Sequence, residues 1–406
     1  MLRDLIPPPG PVRVLAASGL ARTTGFGTMV AVAVLYFTRA VDIPPERVGL
    51  GMTIAALCGM VASPLAGRAA DRFGARDAAI VLVTVQGVAV SCYALVGGFV
   101  PFVIAVSTVI SFHSSAEAAR GALVAGVVEP ERRVATRALL HSVTNIGLSL
   151  GAVAGGVALH FDTRAVYVGM LLACGVLFAG SGLVYLRLSS PEPVPHPAGG
   201  PRWEVLRDRP FTLFVALNAL LVMHDSVLTV VLPLWIAERT DAPVTVYAAI
   251  LLLNTIIVVL FQVRATRNSS DVAGGVRALR TSGVLLAGCC ALYAVAAGQP
   301  PWLAVTILLV GGTIHVFGEL LHSAGSWALA FDLAPEHAHG QYQGVFNMSI
   351  QLGGVIAPVL GTAVVMGTGW PGWLILAAVL LGAGLAAPTV ATWASRRAKL
   401  SAEPST

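Results

Sequence analysis

The amino-acid sequence predicts an all-α membrane protein with twelve transmembrane helices, arranged as two pseudo-symmetric six-helix bundles. Three observations lead to this fold class. The chain is 56% hydrophobic and only 11% charged, whereas soluble domains are usually about 45–50% apolar and about 25% charged. Apolar runs long enough to cross a bilayer can be marked twelve times. A charged pattern in the fourth run returns in the tenth run, 202 residues later in a chain of 406.

The twelve runs are each compatible with a helix that crosses about 30 Å of hydrocarbon, which takes about 20 residues. The first six are Val12–Arg39, Val48–Ala66, Ala78–Val96, Pro101–Val128, Val134–His160 and Val166–Leu188. The second six are Phe211–Ile236, Val246–Gln262, Val276–Ala296, Trp302–Ala330, Val345–Met366 and Trp370–Trp393. Residues before the first run show no signal region with a cleavage site, so we expect that run to remain as a membrane helix.

A proline-rich stretch separates the two sets of runs. It begins Ser-Ser-Pro-Glu-Pro-Val-Pro-His-Pro, a composition typical of an extended, solvated linker. We therefore expect an N-terminal bundle at residues 1–188, a cytoplasmic linker at 189–210, and a C-terminal bundle with a short cytoplasmic tail at 211–406.

Basic residues are distributed unequally between the two sides of the predicted helices. The termini and the even-to-odd connections hold 19 of the 25, and the opposite connections hold four. The positive-inside rule then places both termini in the cytoplasm and the chain in the inner membrane of the cell, surrounded by lipid bilayer. Because the same asymmetry accounts for the net charge of +5, the charge does not indicate a nucleic-acid partner.

Two charged stripes lie at corresponding places in the two halves. The fourth run carries His113, Glu117 and Arg120, and the tenth carries His315, Glu319 and His322. Spacings of four and three place each set on one helix face. We expect the two stripes to meet near a pseudo-twofold axis at membrane depth, which is the layout of a transporter.

Few acidic residues fall inside the apolar runs, and these are Glu117, Asp225 and Glu319. Burying an ionised carboxylate is expensive, so each of them is protonated, paired or exposed to water. We expect Glu117 to pair with Arg22 or Arg120, and a static ion pair between helices is the alternative to a role in transport. Arg22 lies about 15 Å deep, where it either binds an anionic group or neutralises Glu117.

Histidines flank the second-half carboxylate. An unperturbed imidazole titrates near neutral pH, so we expect Glu319 to pair with His315 or His322 and to carry protons. In the seventh run, His224 and Asp225 are adjacent and point about 100° apart, so only one of them faces a central cavity squarely.

The histidine spacing of the tenth run also permits a facial metal site of two imidazoles and one carboxylate. Against that interpretation, the fourth run has Arg120, which is not a metal ligand, in place of the last histidine. The five cysteines have no metal-ligand spacing. No nucleophile elbow, phosphate loop or zinc-protease motif occurs. We therefore predict no metal, no cofactor and no enzymatic activity.

The connection after the second run reads Gly67-Arg-Ala-Ala-Asp71-Arg72-Phe-Gly74-Ala-Arg76. It resembles the signature loop of the major facilitator superfamily, which has glycine, three residues, aspartate, arginine, one residue, glycine and then basic residues. The resemblance extends over the whole chain in helix count, linker and loop lengths. The second-half counterpart of this loop keeps basic residues but lacks the glycines and the aspartate position.

The resemblance implies that this loop is a gating motif at the cytoplasmic face. It implies that Asp71 accepts hydrogen bonds from the start of helix eleven, near residues 340–342. It also implies that Arg72 or Arg76 pairs with Glu129 or Glu131 at the end of helix four.

A second resemblance lies in the fifth run, Gly147-Leu-Ser-Leu-Gly151-Ala-Val-Ala-Gly155-Gly156. It is similar to the family's antiporter-associated pattern, with Ala152 where the family usually has proline, and a weaker copy with Pro358 lies in the eleventh run. Small residues at spacing four let helices approach closely. The resemblance implies a role where helices five and eight, and two and eleven, open and shut. The fourth run lacks the arginine–glycine signature of proton-coupled drug exporters at its usual depth.

These features favour a monomeric transporter that moves a small molecule by alternating access, with the proton as coupling ion. Efflux of drug-like or amphipathic compounds is favoured, because the fifth run resembles antiporters and the cavity-forming helices are mostly apolar. Uptake of a small polar nutrient or metabolite is the nearest alternative. A non-transporting membrane sensor or metal-binding membrane protein is the alternative of another class.

Overall fold

The computed structural model describes residues 7–190, 203–266 and 271–402 of the chain. These residues form helices and connections without a strand. Twelve of the helices within these ranges are long and apolar enough to cross a membrane. The predicted fold class is therefore confirmed.

The helices follow the predicted runs closely. In the first half they are α1 Pro11–Leu35, α2 Pro45–Phe73, α3 Ala75–Ser91, α4 Phe99–Val127, α5 Pro130–Phe161 and α6 Arg164–Val184. In the second half they are α7 Arg209–Ser226, α8 Thr245–Ala265, α9 Val272–Val295, α10 Pro301–Asp332, α11 His339–Thr368 and α12 Trp370–Ala402. A π-helical segment, Tyr36–Ala40, continues α1 beyond Leu35. A second π-helical segment, Val227–Val231, follows α7, and the chain then returns to α-helix at Leu232–Arg239. We count that last helix as the continuation of α7.

The predicted linker at 189–210 falls mostly on residues 191–202, which lie outside the described residues. Its last part contains one helical turn, Glu204–Arg207. Asp208 then caps α7, because its carboxylate accepts a hydrogen bond of 3.2 Å from the backbone N–H of Phe211.

The glycine-rich connection predicted after the second run is mostly helix. Residues 67–73 form the last turns of α2, and only Gly74, with φ of 96°, separates α2 from α3. Arg68, Ala69 and Ala70 are strong helix formers, so the helix continues until a residue that tolerates positive φ interrupts it. The carboxylate of Asp71 therefore projects from a rigid helix end.

The chain divides into two compact units. The first comprises residues 1–200 and 334–348, and the second comprises 201–333 and 349–406. In the first unit α1 packs on α5 and α6, α2 packs on α4, and α3 packs on α4 and α6. In the second unit α9 packs on α10 and α12, α8 on α10, and α7 on α12. Residues 334–348 thus group with the helices of the first half, although they follow α10 in the sequence.

Equivalent hydrogen bonds stabilise the two units. In the first, the hydroxyl of Tyr36 donates to the carbonyl oxygen of Tyr93 at 3.3 Å. In the second, the indole N–H of Trp235 donates to the carbonyl oxygen of Tyr293 at 2.8 Å. Each bond joins the continuation of the unit's first helix to its third, as expected for two copies of one six-helix pattern.

The glycines of the fifth run pack α5 against α1 within the first unit. A Cβ on Gly147 would collide with the hydroxyl of Thr23, and one on Gly151 would collide with the carbonyl oxygen of Thr24. Gly155 lies against Ala31 in the same way. Their spacing of four clears the face that meets α1. The expected role of these glycines at the interface of helices five and eight stays a prediction.

The corresponding pattern in α11 packs on α7 in the second unit. A Cβ on Gly353 would lie 2.8 Å from the carbonyl oxygen of Ala219, and one on Gly361 would lie 2.8 Å from a methyl group of Val231. Pro358 lies in the same helix between these two glycines. The α5–α1 and α11–α7 contacts are thus equivalent in the two units.

Candidate functional site

Asp71 forms a bidentate contact with the start of α11 inside the first unit. The backbone N–H of Gly340 donates to its Oδ1 at 2.5 Å, and the N–H of Gln341 donates to its Oδ2 at 2.9 Å. The first N–H groups of a helix have no partner in the helix itself, and they attract negative charge. The hydrogen bonds are those that the family resemblance implied.

Glycines let the two helix ends approach closely enough for these bonds. A Cβ on Gly67 would collide with the carbonyl oxygen of Gly340, and a Cβ on Gly340 would collide with that of Gly67. One turn earlier in α2, the hydroxyl of Ser63 donates to the carbonyl oxygen of Gly344 at 3.1 Å. We call this contact, formed by Ser63, Gly67 and Asp71 with Gly340, Gln341 and Gly344, the latch.

The arginines of the motif have other partners than those expected. Arg76 pairs with Asp77 at 2.8 Å and donates to the carbonyl oxygen of Leu188, just beyond α6, at 3.0 Å. The guanidinium of Arg72 lies 5.3 Å from the ring centre of Phe73. In the described part of the chain neither arginine pairs with Glu129 or Glu131. Those two carboxylates instead lie at the N-terminus of α5, where a helix favours negative charge.

A charged cluster lies at membrane depth between α1 and α4. Arg22 Nη2 lies 2.6 Å from Glu117 Oε1, and Arg120 Nη1 lies 3.5 Å from the same oxygen. Both arginines are buried, with 3% of their surface exposed, while the Glu117 side chain is 24% exposed. Glu117 therefore pairs with both arginines named from the sequence.

Arg137 and Tyr185 extend this cluster, and sequence reasoning missed both. Arg137 in α5 is 7% exposed and interacts electrostatically with Arg22, Glu117 and Arg120. The hydroxyl of Tyr185, at the end of α6, is buried and lies close enough to interact with Arg22. Arg137 lies near the start of the predicted fifth run, four residues after Arg133, so its sequence position alone resembles that of a connection residue.

His113 turns away from the carboxylate of its own stripe. Its Nδ1 lies 3.3 Å from the amide Nε2 of Gln86 in α3. Its ring stacks on Phe26 of α1, with ring centres 4.2 Å apart and planes 10° from parallel. The Phe26–His113 stack lies one helical turn from the Arg22–Glu117 pair on the same two helices.

Glu319 has an amide partner instead of a histidine. The Nδ2 of Asn254 in α8 donates to its Oε2 at 2.7 Å. Asp225 lies close enough to interact electrostatically with it. The expected pairing of Glu319 with His315 or His322 is therefore wrong, because both imidazoles turn toward His224 of α7.

The histidines of the second unit form a hydrogen-bonded chain between α7 and α10. His224 Nε2 lies 3.1 Å from His322 Nδ1, and His322 Nε2 lies 3.0 Å from Asn218 Oδ1. Asn218 then donates to the hydroxyl of Ser349 at 2.7 Å. At the other end, His224 Nδ1 lies 3.3 Å from Asp225, whose side chain is 61% exposed, at ion-pair distance but without the geometry of a hydrogen bond. We call this series, from Asp225 to Ser349, the histidine chain.

The histidine chain can exist in two hydrogen-bonding directions. With the carbonyl oxygen of Asn218 toward His322, the imidazole of His322 carries its hydrogen on Nε2 and accepts from Nε2–H of His224. One additional proton then fits between His224 and Asp225. When the Asn218 amide rotates by 180°, its Nδ2 donates to His322 Nε2, and Nδ1–H of His322 then donates to His224 Nε2. In this second direction His224 already carries its hydrogen on Nδ1, facing Asp225, so no additional proton is required. The two imidazoles can thus take up a proton from Asp225 and return it to Asp225, while the Asn218 amide ends the series because it does not relay protons.

His315 is fully buried beside this chain. Its Nδ1 lies 3.6 Å from the sulfur of Cys289. Its ring centre lies 5.4 Å from that of His224. Across the described ranges, no group of three or more His, Cys, Asp or Glu side chains is placed to hold a metal ion.

Comparison with known proteins gives a family match and several similar folds. The sequence profile described as Major Facilitator Superfamily matches residues 14–358. No curated protein matches the chain by sequence.

Three solved structures share the fold. An outward-facing bacterial homologue of the iron transporter ferroportin has a TM-score of 0.74 at 17% identity, over 95% of this chain and 99% of that one. The E. coli fucose:proton symporter FucP has a TM-score of 0.69 at 11% identity, over 94% of this chain and 98% of that one. The human organic anion transporter MFSD10 has a TM-score of 0.67 at 16% identity, over 93% of this chain and 98% of that one.

The structural likenesses show a shared fold, and the profile match covers most of the sequence that builds it. With twelve membrane-spanning helices and the latch motif at the end of α2, the chain belongs to the Major Facilitator Superfamily of transporters.

Proposed function

We propose that the protein exports a small amphipathic molecule across the inner membrane of the cell in exchange for protons, by alternating access. The observation that carries the proton part is Glu319, a carboxylate at membrane depth with an amide as its hydrogen-bond partner. An ionised carboxylate at this depth is costly unless a cation or water compensates it. Glu319 is therefore suited to gain and lose a proton during transport.

The histidine chain supports this proposal because it can hold a proton beside Asp225. It runs from the exposed Asp225 inward to the buried His322 and Asn218. Asp225 is close enough to Glu319 for the two groups to interact electrostatically. We propose that protons reach or leave Glu319 through Asp225, with the histidine chain holding the proton between steps.

Proton coupling is compatible with this fold, since the fucose:proton symporter shares it. The direction of transport rests on the α5 sequence pattern, which is similar to that of antiporters. The proposed topology rests on the unequal distribution of basic residues, which favours a cytoplasmic position for the latch. In the described chain both latch hydrogen bonds are formed within the first unit.

The test is substrate flux in proteoliposomes that contain the purified protein and an imposed pH gradient. Carboxyfluorescein and ethidium, one anionic and one cationic amphipathic dye, are the probes. We expect the gradient to drive at least one dye in the wild type. Glu319→Gln should abolish the response to the gradient and leave dye exchange at equal pH intact. Glu238→Gln, which changes an exposed carboxylate at the end of α7, is the matched control.

Two results would contradict the proposal. A full response of Glu319→Gln to the pH gradient would show that this carboxylate does not carry the coupled proton. Dye movement in the same direction as the protons would identify an importer rather than an exporter.

A further inference from the structure

We infer that Arg22 and Arg120 of the first unit, with the hydroxyl of Tyr185, bind an oxyanion group, such as a carboxylate, that belongs to the transported compound. This inference rests on the proposed transport function and names the chemical class of its substrate. The compound it predicts is an amphipathic organic anion.

The first argument is the balance of charge. Three guanidinium groups, with 3%, 3% and 7% of their surfaces exposed, lie in one cluster. Among the described residues, Glu117 is the carboxylate that interacts with all three. Arg22 and Arg120 share this one carboxylate oxygen, so one positive charge of that pair is not compensated by Glu117, which is unfavourable in a low-dielectric setting. A bound water molecule satisfies hydrogen bonds but not charge, so the cluster calls for an anion.

The second argument is the set of unused hydrogen-bond donors. Nε and Nη1 of Arg22, and Nε and Nη2 of Arg120, are buried without a hydrogen-bond partner. The hydroxyl of Tyr185 is buried and unpartnered as well. Nearly all buried polar groups in folded proteins have a partner. Guanidinium groups match the two oxygens of a carboxylate in geometry, so these donors fit an oxyanion.

The third argument concerns the rest of the ligand. The Phe26–His113 stack lies one turn from Arg22 on α1 and one turn from Glu117 on α4. Both rings are partly exposed. A flat apolar body can pack on these rings while its anionic group reaches the arginines. This arrangement favours an organic anion over an inorganic one.

Glu117 is then an internal competitor for the anion. Its carboxylate oxygen lies 2.6 Å from Arg22, where an oxygen of the ligand would bind. Glu117→Gln therefore has two expected effects. The protein alone becomes less stable, because Arg22 and Arg120 lose the carboxylate that they share. The anion binds more tightly, because it no longer competes with a carboxylate.

The experiment measures thermal unfolding of the purified full-length protein in detergent at constant pH. The probes are 1-naphthoate, its uncharged analogue 1-naphthamide, and inorganic phosphate. We expect 1-naphthoate alone to raise the unfolding temperature of the wild type. In Glu117→Gln we expect a lower starting temperature, a larger rise with 1-naphthoate, and an affinity on the order of tenfold higher. Arg22→Gln/Glu117→Gln, which removes the pair together, should lose that gain.

Arg47→Gln, at an exposed arginine in the first turns of α2, is the matched control and should bind 1-naphthoate like the wild type. Equal stabilisation by 1-naphthoate and 1-naphthamide would overturn the inference, as would stabilisation by phosphate alone. An unchanged affinity in Glu117→Gln would also overturn it. No proton gradient is involved, so Glu319→Gln should bind normally, and failure of proton coupling remains distinguishable from failure of this site.

Discussion

Glu117 and Glu319 occupy corresponding positions in α4 and α10, but their surroundings have opposite electrical character. Glu117 lies among three arginines. Glu319 has an amide and another carboxylate beside it. A carboxylate among cations keeps its charge, whereas one without a cation is stable chiefly when protonated or hydrated. We infer that the two halves have different roles: the first half binds the charged group of the ligand, and the second half binds and releases the coupled proton.

The histidine chain gives a prediction that concerns a single side chain. His322→Gln should slow pH-gradient-driven flux on the order of tenfold, equivalent to about 1.4 kcal/mol in the barrier. Glutamine can bond to both His224 and Asn218, but its amide does not take up and release a proton. The measurement is dye flux in proteoliposomes with and without a pH gradient.

Exchange of dye at equal pH should be unchanged in His322→Gln, because the hydrogen-bonded packing is kept. His160→Gln, at an exposed histidine near the end of α5, is the control. A variant that is slowed equally with and without the gradient would indicate a structural role for His322.

The stripe residues of the site were foreseeable from the sequence, but Arg137, Tyr185 and the two asparagines were not, and only part of the pairing was. Arg120 lies three positions from Glu117 on one helix, so helical geometry alone brings them together. His322 has the same spacing from Glu319, yet it bonds to His224 on another helix. Which neighbouring helix a side chain faces depends on packing between helices. A single sequence does not carry that information in its spacing.

At the scale of helices, the packing of α5 on α1 depends on glycines at spacing four. This gives a prediction with an internal control. Gly151→Ala should destabilise the protein by about 1–3 kcal/mol, because its Cβ would meet backbone atoms of Thr24 and Thr28, which cannot rotate away. Gly156→Ala should cause no loss, since its added Cβ would have no neighbour within 4 Å. Thermal unfolding in detergent is the measurement.

Equal destabilisation by Gly151→Ala and Gly156→Ala would contradict this account. It would show that the glycines matter for their backbone freedom rather than for close approach. The difference between the two variants therefore isolates the contact with α1.

The helices themselves were predictable because bilayer thickness fixes their length and apolar composition marks them. The residues at which the helices end were less predictable. The second apolar run stops at Ala66, but α2 continues to Phe73 because polar helix formers extend it beyond the hydrocarbon. Asp71 consequently lies on a helix end, and the partner of that end comes from the other half of the sequence. Only the family resemblance indicated this partner.

At the scale of the whole molecule, α11 is the described helix whose residues are shared between the two units. Residues up to 348 group with the first unit, and residues from 349 group with the second. The latch supplies two charge-assisted hydrogen bonds to the first part of α11. We infer that opening toward the proposed cytoplasmic side requires this part of α11 to leave α2.

The last prediction tests the latch directly. Asp71→Asn should raise the fraction of molecules that are open on the proposed cytoplasmic side, because an amide offers one acceptor oxygen and no charge to the N–H groups of Gly340 and Gln341. The loss of one charge-assisted bond, about 1.5–3 kcal/mol, would shift the equilibrium on the order of tenfold or more. Asp77→Asn, at an exposed carboxylate in the first turn of α3, is the matched control.

The measurement is the rate at which N-ethylmaleimide labels Gln343→Cys, placed in a protein whose five native cysteines are replaced by serine or alanine. Position 343 is fully buried beside Gly121, so it should label slowly while the latch is closed. Labelling should accelerate with Asp71→Asn and stay slow with Asp77→Asn. If Asp71→Asn leaves the rate unchanged while the protein remains folded, the hydrogen bonds from Gly340 and Gln341 do not control opening. The glycine contact between Gly67 and Gly340 would then have to hold the two helices together by packing alone.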